Sequence, residues 1–544
     1  MQIRFKYPLL FSILAVFMFT SCSKKTNKEG RYIPSDASFA VHMNGQSMSA
    51  KLPWEEIKQS ELFKDAYSDT TASPLVRSVM ENPDVTGVDV KNDIVFFMVK
   101  DGEQGYIVVE GGLKDAAKFK QFNKEANKNL AVETEKGGIS YSEMPEVTTG
   151  WTKEKFILLM DVNMSRRDGA GKNTKSRIGF AEKLFNLDED KSLGKDEKFS
   201  SLMKTPGDIH FWLNLESLTS DDALTKGMGG MNMLNLKKIY EGSRVTGTMT
   251  FENGKINADF KSYSNKEMTD LIKKYSGDKI NADMIKQIPT KNLGALFAFN
   301  FKPEGLKEYL KLLGVDGFAN MGASRFGFNL DDFIKANKGD ILLAVSDVKI
   351  DSSGKPEVNA FFSASIGDKP SFTKLVEAGK NLSRGKFDGV NGPSMFSTMN
   401  DKYFAIGTNQ QTIDTYIAGT ANNSFDFLSK ISGSSGGAYI NFQYLMTSMG
   451  AAASKDSLSK ASFDASIKMW DNMVAYGEGF NDGGSTQHIE INLVDKSTNS
   501  LKQLNNYMAT LGKIQKIQKE RFSDFNMNRD QMRDSIMREF QKKH

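Results

Sequence analysis

The sequence repeats two outlines, and this repetition limits the folds open to the chain more than any other feature. In the first outline, a β-rich apolar run ends in Asn and a helical-looking segment follows. The four copies contain Asn44, Asn214, Asn300 and Asn441. Asn is among the best helix N-caps, worth about 1 kcal/mol over Ala, because its side chain accepts hydrogen bonds from free backbone amides. We therefore predict that these four residues cap the helices that follow their strands.

The second outline is a strand, a tight turn, another strand and an amphipathic helix. Its copies begin near Asp93, Thr246, Gly339 and Met473. The turns KDGEQG, ENGK, DSSGK and NDGG are typical of β-hairpins, and the segments after them space their apolar residues as helices do. Each copy predicts an antiparallel hairpin with a helix on one face.

The two outlines follow one another in the same order twice, which predicts a tandem duplication. We predict an α+β fold of two similar tandem domains, each an antiparallel sheet of hairpins covered by helices. The predicted boundaries are a signal peptide at 1–21, a solvated tether at 22–32, a first half at 33–275, a linker at 276–287, a second half at 288–511 and a charged amphipathic C-terminal helix at 512–544.

The amino terminus has the three-part layout of a secretory signal. Arg4 and Lys6 precede an apolar run of about a dozen residues, whereas a membrane-spanning helix needs about 20. Residues 19–22, FTSC, resemble the bacterial lipobox, and this resemblance implies cleavage before Cys22 and acylation of that residue. Because Cys22 is the sole cysteine, the mature chain has no thiol left for a disulfide.

Composition argues against several classes of function. The formal net charge of the chain is only +4, which gives no electrostatic case for nucleic-acid binding. The histidines are far apart in sequence, and neither Cys-x-x-Cys nor His-Glu-x-x-His occurs, so we predict no metal site and no cofactor. His42 and His210 fall in predicted strands and are interpreted as structural.

The sequence carries no catalytic signature. GSSGG around Ser435 matches Gly-x-Ser-x-Gly, but a nucleophile elbow needs a helix after it, and here a strand follows. Acidic pairs such as residues 55–56 and 331–332 are expected at the solvated surface. Trp212 lies within a predicted strand and is assigned to the core, whereas Trp54 stands at a helix start where it can be exposed.

Two segments are candidates for binding. A Gly- and Met-rich stretch holds Met228, Met231 and Met233, and Met is an adaptable apolar side chain. This stretch is either a loop on the core or a lid over a hydrophobic groove.

The C-terminal segment is the other candidate, since its apolar residues form a stripe on one helical face. These residues are Ile514, Ile517, Phe525, Met532, Ile536 and Phe540. Such a helix either packs on its own domain or contacts a protein or an anionic lipid surface.

The lipobox, the IPSDASFAVHMN opening and the paired organisation together resemble a large family of Bacteroidota lipoproteins classed as a domain of unknown function. This resemblance supplies no catalytic residues. Bacteroidota lipoproteins sent to the cell surface usually carry an acidic cluster after the cysteine, and SKKTN has none. The resemblance therefore implies an outer-membrane lipoprotein that faces the periplasm.

The sequence favours a lipid-anchored, periplasmic, non-enzymatic binding or scaffold protein of the cell envelope, with an envelope protein as partner. Two alternatives stay open. One is a carrier or sensor of a hydrophobic or glycan ligand held between the two halves. The other is a hydrolase of envelope polymers.

Overall fold

The structure, a computed structural model, describes most of the chain. The described residues are 28–68, 74–102, 104–127, 132–144, 147–162, 177–219, 235–325, 327–351, 354–382, 395–453, 456–481, 483–518 and 521. No helix within these ranges is long and apolar enough to cross a bilayer.

Antiparallel strands form the framework. Those of the first half are β1 (Phe39–Met43), β2 (Ile94–Asp101), β3 (Gln104–Gly112), β4 (Val132–Lys136), β5 (Ile139–Glu143), β6 (Val147–Trp151), β7 (Lys155–Val162), β8 (Ile209–Asn214), β9 (Arg244–Glu252) and β10 (Lys255–Tyr263). Those of the second half are β11 (Leu293–Asn300), β12 (Asn337–Ile350), β13 (Pro356–Ile366), β14 (Phe396–Met399), β15 (Tyr403–Gly407), β16 (Gly436–Asn441), β17 (Trp470–Asn481) and β18 (Gly484–Leu493).

These strands pair in one continuous sheet. From edge to edge the order is β4-β5-β6-β7-β3-β2-β1-β8-β9-β10-β18-β17-β16-β11-β12-β13-β15-β14. Eight strands of the first half follow the order β6-β7-β3-β2-β1-β8-β9-β10 toward the centre of the sheet. Their counterparts in the second half, β14-β15-β13-β12-β11-β16-β17-β18, follow the same order toward the centre from the opposite edge. The repeated outlines in the sequence thus correspond to a repeated strand order.

The two halves meet edge to edge at a seam where β10 pairs with β18. The pairing runs from Lys255 opposite Asn492 to Ser262 opposite Ser485, and His488 Nδ1 lies 2.5 Å from a carboxylate oxygen of Asp259 across it. An unpaired edge strand leaves backbone N–H and C=O groups open to other chains, and the seam satisfies two such edges. The halves therefore share one sheet, whereas we predicted a separate sheet in each domain.

Helices lie between groups of consecutive strands in the chain, which confirms the α+β class. In the first half they are α1 (Gly45–Lys51), α2 (Trp54–Gln59), α3 (Glu61–Ser68), α4 (Pro74–Glu81), α5 (Ala116–Asn127), α6 (Arg177–Phe185), α7 (Glu197–Leu202), α8 (Leu215–Thr219), α9 (Leu236–Tyr240) and α10 (Lys266–Tyr275). After the first half they are α11 (Ala282–Lys286), α12 (Gly305–Leu312), α13 (Asp316–Arg325), α14 (Leu330–Ala336), α15 (Lys369–Leu382), α16 (Gln410–Ala418), α17 (Leu428–Ile431), α18 (Phe442–Ala453), α19 (Ser457–Met469) and α20 (residues 500–518).

Three of the four repeat asparagines cap helices as predicted. In each, the backbone amide three residues later donates to the Asn side-chain oxygen: Ser47 to Asn44 (2.9 Å), Ser217 to Asn214 (3.0 Å) and Tyr444 to Asn441 (2.9 Å).

The cap predicted for Asn300 is wrong. Its side-chain oxygen accepts from the backbone amide of Asp278 (2.7 Å), and its amide nitrogen donates to Asp340 (2.9 Å). Because the chain still forms a β-bridge at Phe301, the next helix begins only at Gly305, out of reach of the Asn300 side chain.

Each half buries a hydrophobic core on the same face of the sheet. Directly paired residues supply a row in each core: Trp212, Ala40, Phe97, Val108 and Leu159 in the first half, and Tyr439, Leu296, Ala344 and Phe361 in the second. The segment predicted as a linker, 276–287, contributes Ile280, Met284 and Ile285 to the second core.

The helix α20 packs on its own chain and ties the halves together. Lys502 Nζ lies 2.6 Å from Glu56 of the first half, and Tyr507 OH lies 2.9 Å from Ser466 Oγ of the second. Ile514 is buried, whereas Ile517 is 41% exposed. The first part of the C-terminal stripe is therefore partly used within the molecule.

Candidate functional site

Several residues singled out from the sequence lie outside the described residues. They are Cys22, the lid methionines Met228, Met231 and Met233, and the stripe residues Phe525, Met532, Ile536 and Phe540.

The residues considered for catalysis have structural roles. Ser435 lies in the turn before β16, and its carbonyl accepts from the Asn300 amide (2.7 Å). Asp332 forms the capping box of α14 with Asn329. Within the described residues, no group of three or more His, Cys, Asp or Glu side chains could hold a metal ion.

A buried histidine cluster lies at the end of the first core. His42 on β1 and His210 on β8 face each other in register, with exposures of 5% and 3% and a distance of 3.1 Å between their Nδ1 atoms. His42 Nε2 lies 3.1 Å from a carboxylate oxygen of Asp93. His210 Nε2 lies 2.8 Å from the carbonyl oxygen of Thr205.

The hydrogen-bonding groups around the cluster fix where its protons sit. The Thr205 carbonyl can only accept, so His210 Nε2 carries a hydrogen and, in the neutral ring, its Nδ1 is an acceptor. His42 Nδ1 must then donate to His210, and His42 Nε2 faces a carboxylate. These contacts fit a neutral His210 that accepts from His42, beside an ionised Asp93.

The pKa shifts agree with this proton arrangement. Burial lowers the pKa of His210, and the neighbouring His42 lowers it further. Burial alone would raise the pKa of Asp93, but the hydrogen bond and charge of His42, together with the Gly45 backbone amide and the charge of Lys155, leave that pKa lowered.

The histidine cluster is not required by the fold. Ala298 and Gly437 occupy the corresponding positions of the second half, and they pair directly with each other as His42 and His210 do. A nearby ion pair, between Glu110 and Lys155, also has no counterpart in the second half. Because the second half builds the same strand order without these groups, they are special to the first half.

That ion pair joins Glu110 on β3 to Lys155 on β7. Glu110 is 0% exposed, and its Oε1 lies 2.6 Å from Lys155 Nζ. Burial raises the pKa of Glu110, against the charge and hydrogen bond of Lys155. Ser363 and Tyr403 stand at the corresponding positions of the second half.

The second half instead carries an open groove, here called the amide groove. It has a volume of about 430 Å³ and lies between the loop at residues 424–427 and the ends of β16, β17 and β18. Sites for small molecules typically have about 300–1,000 Å³. All of its lining residues belong to the second half, so the groove does not lie between the halves.

A stack of three aromatic rings forms one wall of the groove. The ring of Phe427 packs against Tyr439, with centroids 4.1 Å apart, and against Phe425, with centroids 5.3 Å apart; both pairs are close to parallel. Phe427 is buried at 5% exposure, whereas Phe425 and Tyr439 are half-buried and line the groove. Burial, together with two nearby carboxylates, raises the pKa of Tyr439 to about 12, and its hydroxyl stays protonated at neutral pH.

A row of side-chain amides forms the floor. Asn441, Asn472 and Asn492 lie opposite one another on three adjacent strands, and Asn492 Nδ2 donates to the Asn472 side-chain oxygen (2.9 Å). Within the described part of the chain, this leaves the Asn472 amide nitrogen and the Asn492 side-chain oxygen without a hydrogen-bond partner. Asn472 Nδ2 and Asn492 Oδ1 thus offer a donor and an acceptor on adjacent strands that line the groove.

The charges around the groove balance. Lys430 pairs with Glu490 (2.5 Å) and Lys496 pairs with Asp471 (2.7 Å), while Lys291 and Asp426 also line it. When Glu490 and Asp471 are counted with the lining residues, three cations are matched by three anions, so the groove and its ion-pair partners together carry no net charge.

A larger cleft of about 850 Å³ lies near Asp347. Asp347 has a left-handed backbone (φ 48°) at a bulge of β12. Its carboxylate accepts from Thr290 (3.0 Å), Asn292 (3.3 Å) and Asn359 (3.4 Å). These bonds hold the bulge and occupy the carboxylate, so this cleft is a weaker candidate than the amide groove.

Comparison with known proteins gives the family of the chain. A family model described as a domain of unknown function (DUF4836) matches residues 31–423, well over half of the chain. The chain belongs to this family. The match includes β10 but ends directly before the loop at residues 424–427. The partner strand of β10 at the seam, β18, and most of the amide groove therefore lie beyond the matched residues.

Other comparisons are weak. A search of curated proteins found no match. Among solved structures, crystal form III of TP0453 aligns with a TM-score of 0.26 and 9% identity, covering 48% of this chain and 90% of that one. Crystal form IV gives 0.24 and 8%, covering 42% and 80%. Scores this low support no conclusion about the fold or the function.

No residue of the amide groove is predicted from the sequence as a binding residue. Asn441 is predicted correctly as a cap, but that prediction does not join it to Asn472 and Asn492. One signal was present, because all three asparagines stand at corresponding ends of predicted strands.

Proposed function

We propose that this protein is a lipid-anchored binding protein of the bacterial cell envelope, held at the periplasmic side of the outer membrane through Cys22 and without enzymatic activity. The observation that carries the proposal is the amide groove. Aromatic faces and a few convergent polar groups are the usual lining of a recognition site. Contact with an envelope protein is assigned to the exposed Ile517 and the stripe residues after it.

The binding role is tested by photo-crosslinking of the full-length chain in living cells. A benzoyl-phenylalanine replaces Phe425 in the groove or, as a control, Phe480 on β17 outside it. We expect an adduct on the peptide that contains residue 425 and none on the peptide that contains residue 480, both identified by mass spectrometry. Absence of an adduct at residue 425, or the same adduct at both positions, would contradict a binding role for the groove.

The anchor is tested separately. Two or more acyl chains give stable membrane attachment, since each buried methylene contributes about 0.8 kcal/mol. Cells fed an alkyne-labelled fatty acid are expected to label the wild-type chain but not Cys22→Ala, and the variant should leave the membrane fraction. Labelling that persists in Cys22→Ala would refute this anchor.

A further inference from the structure

We infer that the amide groove binds a neutral glycan, a class of ligand that presents sugar rings and uncharged hydroxyl groups. This inference rests on the proposed binding function and names its ligand. Three independent features of the groove lead to it: a flat aromatic surface, a hydrogen-bonding pair and a zero net charge.

The aromatic stack provides the flat surface. The face of an aromatic ring carries partial negative charge, and the C–H groups on one side of a pyranose ring carry partial positive charge. The rings of Phe425 and Tyr439 each pack nearly parallel to the buried ring of Phe427. A rigid ring costs little conformational entropy on binding, because no rotamer has to be fixed.

The amide floor provides the hydrogen-bonding pair. Neighbouring hydroxyl groups of a sugar can donate and accept at the same time. The amide nitrogen of Asn472 and the side-chain oxygen of Asn492 offer one donor and one acceptor on adjacent strands. Their mutual hydrogen bond fixes both side chains before a ligand arrives, and groups placed in this way confer specificity for a polar ligand.

The charge balance decides between neutral and anionic ligands. A site for phosphate or carboxylate normally offers unpaired cations or a bidentate Arg. Here Lys430 and Lys496 are already paired with carboxylates, and the carboxylate of Asp426 lines the groove together with Lys291. An anion would have to compete with these carboxylates, whereas a neutral sugar would not.

The first half provides an internal comparison. In the row that corresponds to the amide floor, Arg244 and Tyr263 stand in place of Asn472 and Asn492. Trp212, in place of Tyr439, is 1% exposed and lies beneath Phe199 with its ring centroid 5.9 Å away. The sheet therefore forms without an amide row or an open aromatic face, so neither is needed for folding.

The test is isothermal titration calorimetry of the full-length chain in detergent. The probes are neutral hexasaccharides of glucose, mannose and N-acetylglucosamine, with a hexamer of galacturonic acid as the anionic counterpart. We expect one neutral hexasaccharide to bind with a stoichiometry of one, and the acidic hexamer to bind at least about tenfold more weakly, which corresponds to about 1.4 kcal/mol.

Variants locate the binding site. Asn472→Ala and Phe425→Ala are each expected to weaken binding by about tenfold or more. The controls Asn257→Ala, on β10, and Phe480→Ala, on β17, should bind as the wild type does. Thermal unfolding of all four variants checks that the fold is intact.

The outcomes separate the two proposals. Binding of a neutral hexasaccharide that is unchanged in both groove variants overturns the inference. Absence of binding to any neutral probe also overturns it. In that case, an adduct still formed at residue 425 in cells keeps the binding function with another class of ligand, whereas a missing adduct removes both proposals.

Discussion

Replacement of Lys155 by Met is expected to destabilise the folded chain by about 3–5 kcal/mol, because it leaves the carboxylate of Glu110 buried without a cation. Glu110 is fully buried on β3, and Lys155 is its ion-pair partner at 2.6 Å. Burial already raises the pKa of Glu110 with the lysine present. Without the Lys155 cation, the carboxyl group of Glu110 must either stay ionised in the core or take up a proton. Urea unfolding of the mature chain measures the loss.

Two controls show whether burial is the cause. Lys136→Met breaks the exposed pair with Glu182 (2.8 Å) and should cost less than about 1 kcal/mol. The double variant Glu110→Met/Lys155→Met should recover most of the stability, since replacing both ions of a buried pair is often neutral or stabilising. A loss for Lys155→Met no larger than that for Lys136→Met would contradict this description of the core.

Acidification from pH 7.5 to pH 5 is expected to lower the free energy of unfolding through the histidine cluster. The pKa of His210 is lowered in the folded chain, whereas a His in the unfolded chain has a pKa of about 6.5. Between these two pKa values the folded state therefore binds fewer protons than the unfolded state. The stability contributed by His210 is therefore complete above about pH 6.5 and is lost as the pH falls toward its folded pKa. On protonation, His210 Nδ1 would gain a hydrogen opposite His42 Nδ1, which lies 3.1 Å away.

A neutral replacement separates this effect from general acid sensitivity. In His210→Gln, the side-chain amide can still donate to the Thr205 carbonyl but cannot take up a proton. We expect its stability to fall less between pH 7.5 and pH 5 than that of the wild type. His488→Gln, at the seam, serves as the matched control and should leave the contribution of His210 in place. Equal slopes for the wild type and His210→Gln would rule out His210 as the titrating group.

Much of the fold follows from local sequence signals. Turns such as ENGK and NDGG mark the hairpins β9–β10 and β17–β18 because only a few residue types fit tight turns. Three asparagines cap helices because each helix begins directly after its strand. Asn300 fails as a cap because the chain stays extended to Phe301, a continuation that no local preference marks.

The seam could not be predicted from the sequence. β10 and β18 are more than 200 residues apart, and a half-buried strand has the same alternating pattern whichever strand it pairs with. The same limit applies to the contact between His42 and His210, which are 168 positions apart. Both were assigned to strands, but their register against each other is a property of the folded sheet.

The duplication makes each half a reference for the other. The first half places His42, His210 and Glu110 in its interior, with the half-buried Lys155 beside Glu110, where the second half has small or aromatic residues. The second half opens a groove over Tyr439 where the first half buries Trp212. Differences at corresponding positions of one strand order point to function more directly than a list of polar residues would.

The amide groove is the central claim, and the most direct test is a crystal structure of the chain with the neutral hexasaccharide that binds most tightly. We predict a sugar ring against an outer face of the aromatic stack, at Phe425 or Tyr439, with hydroxyl groups hydrogen-bonded to Asn472 and Asn492. A sugar bound elsewhere, for instance in the cleft near Asp347, with the amide groove holding only water, would contradict the claim.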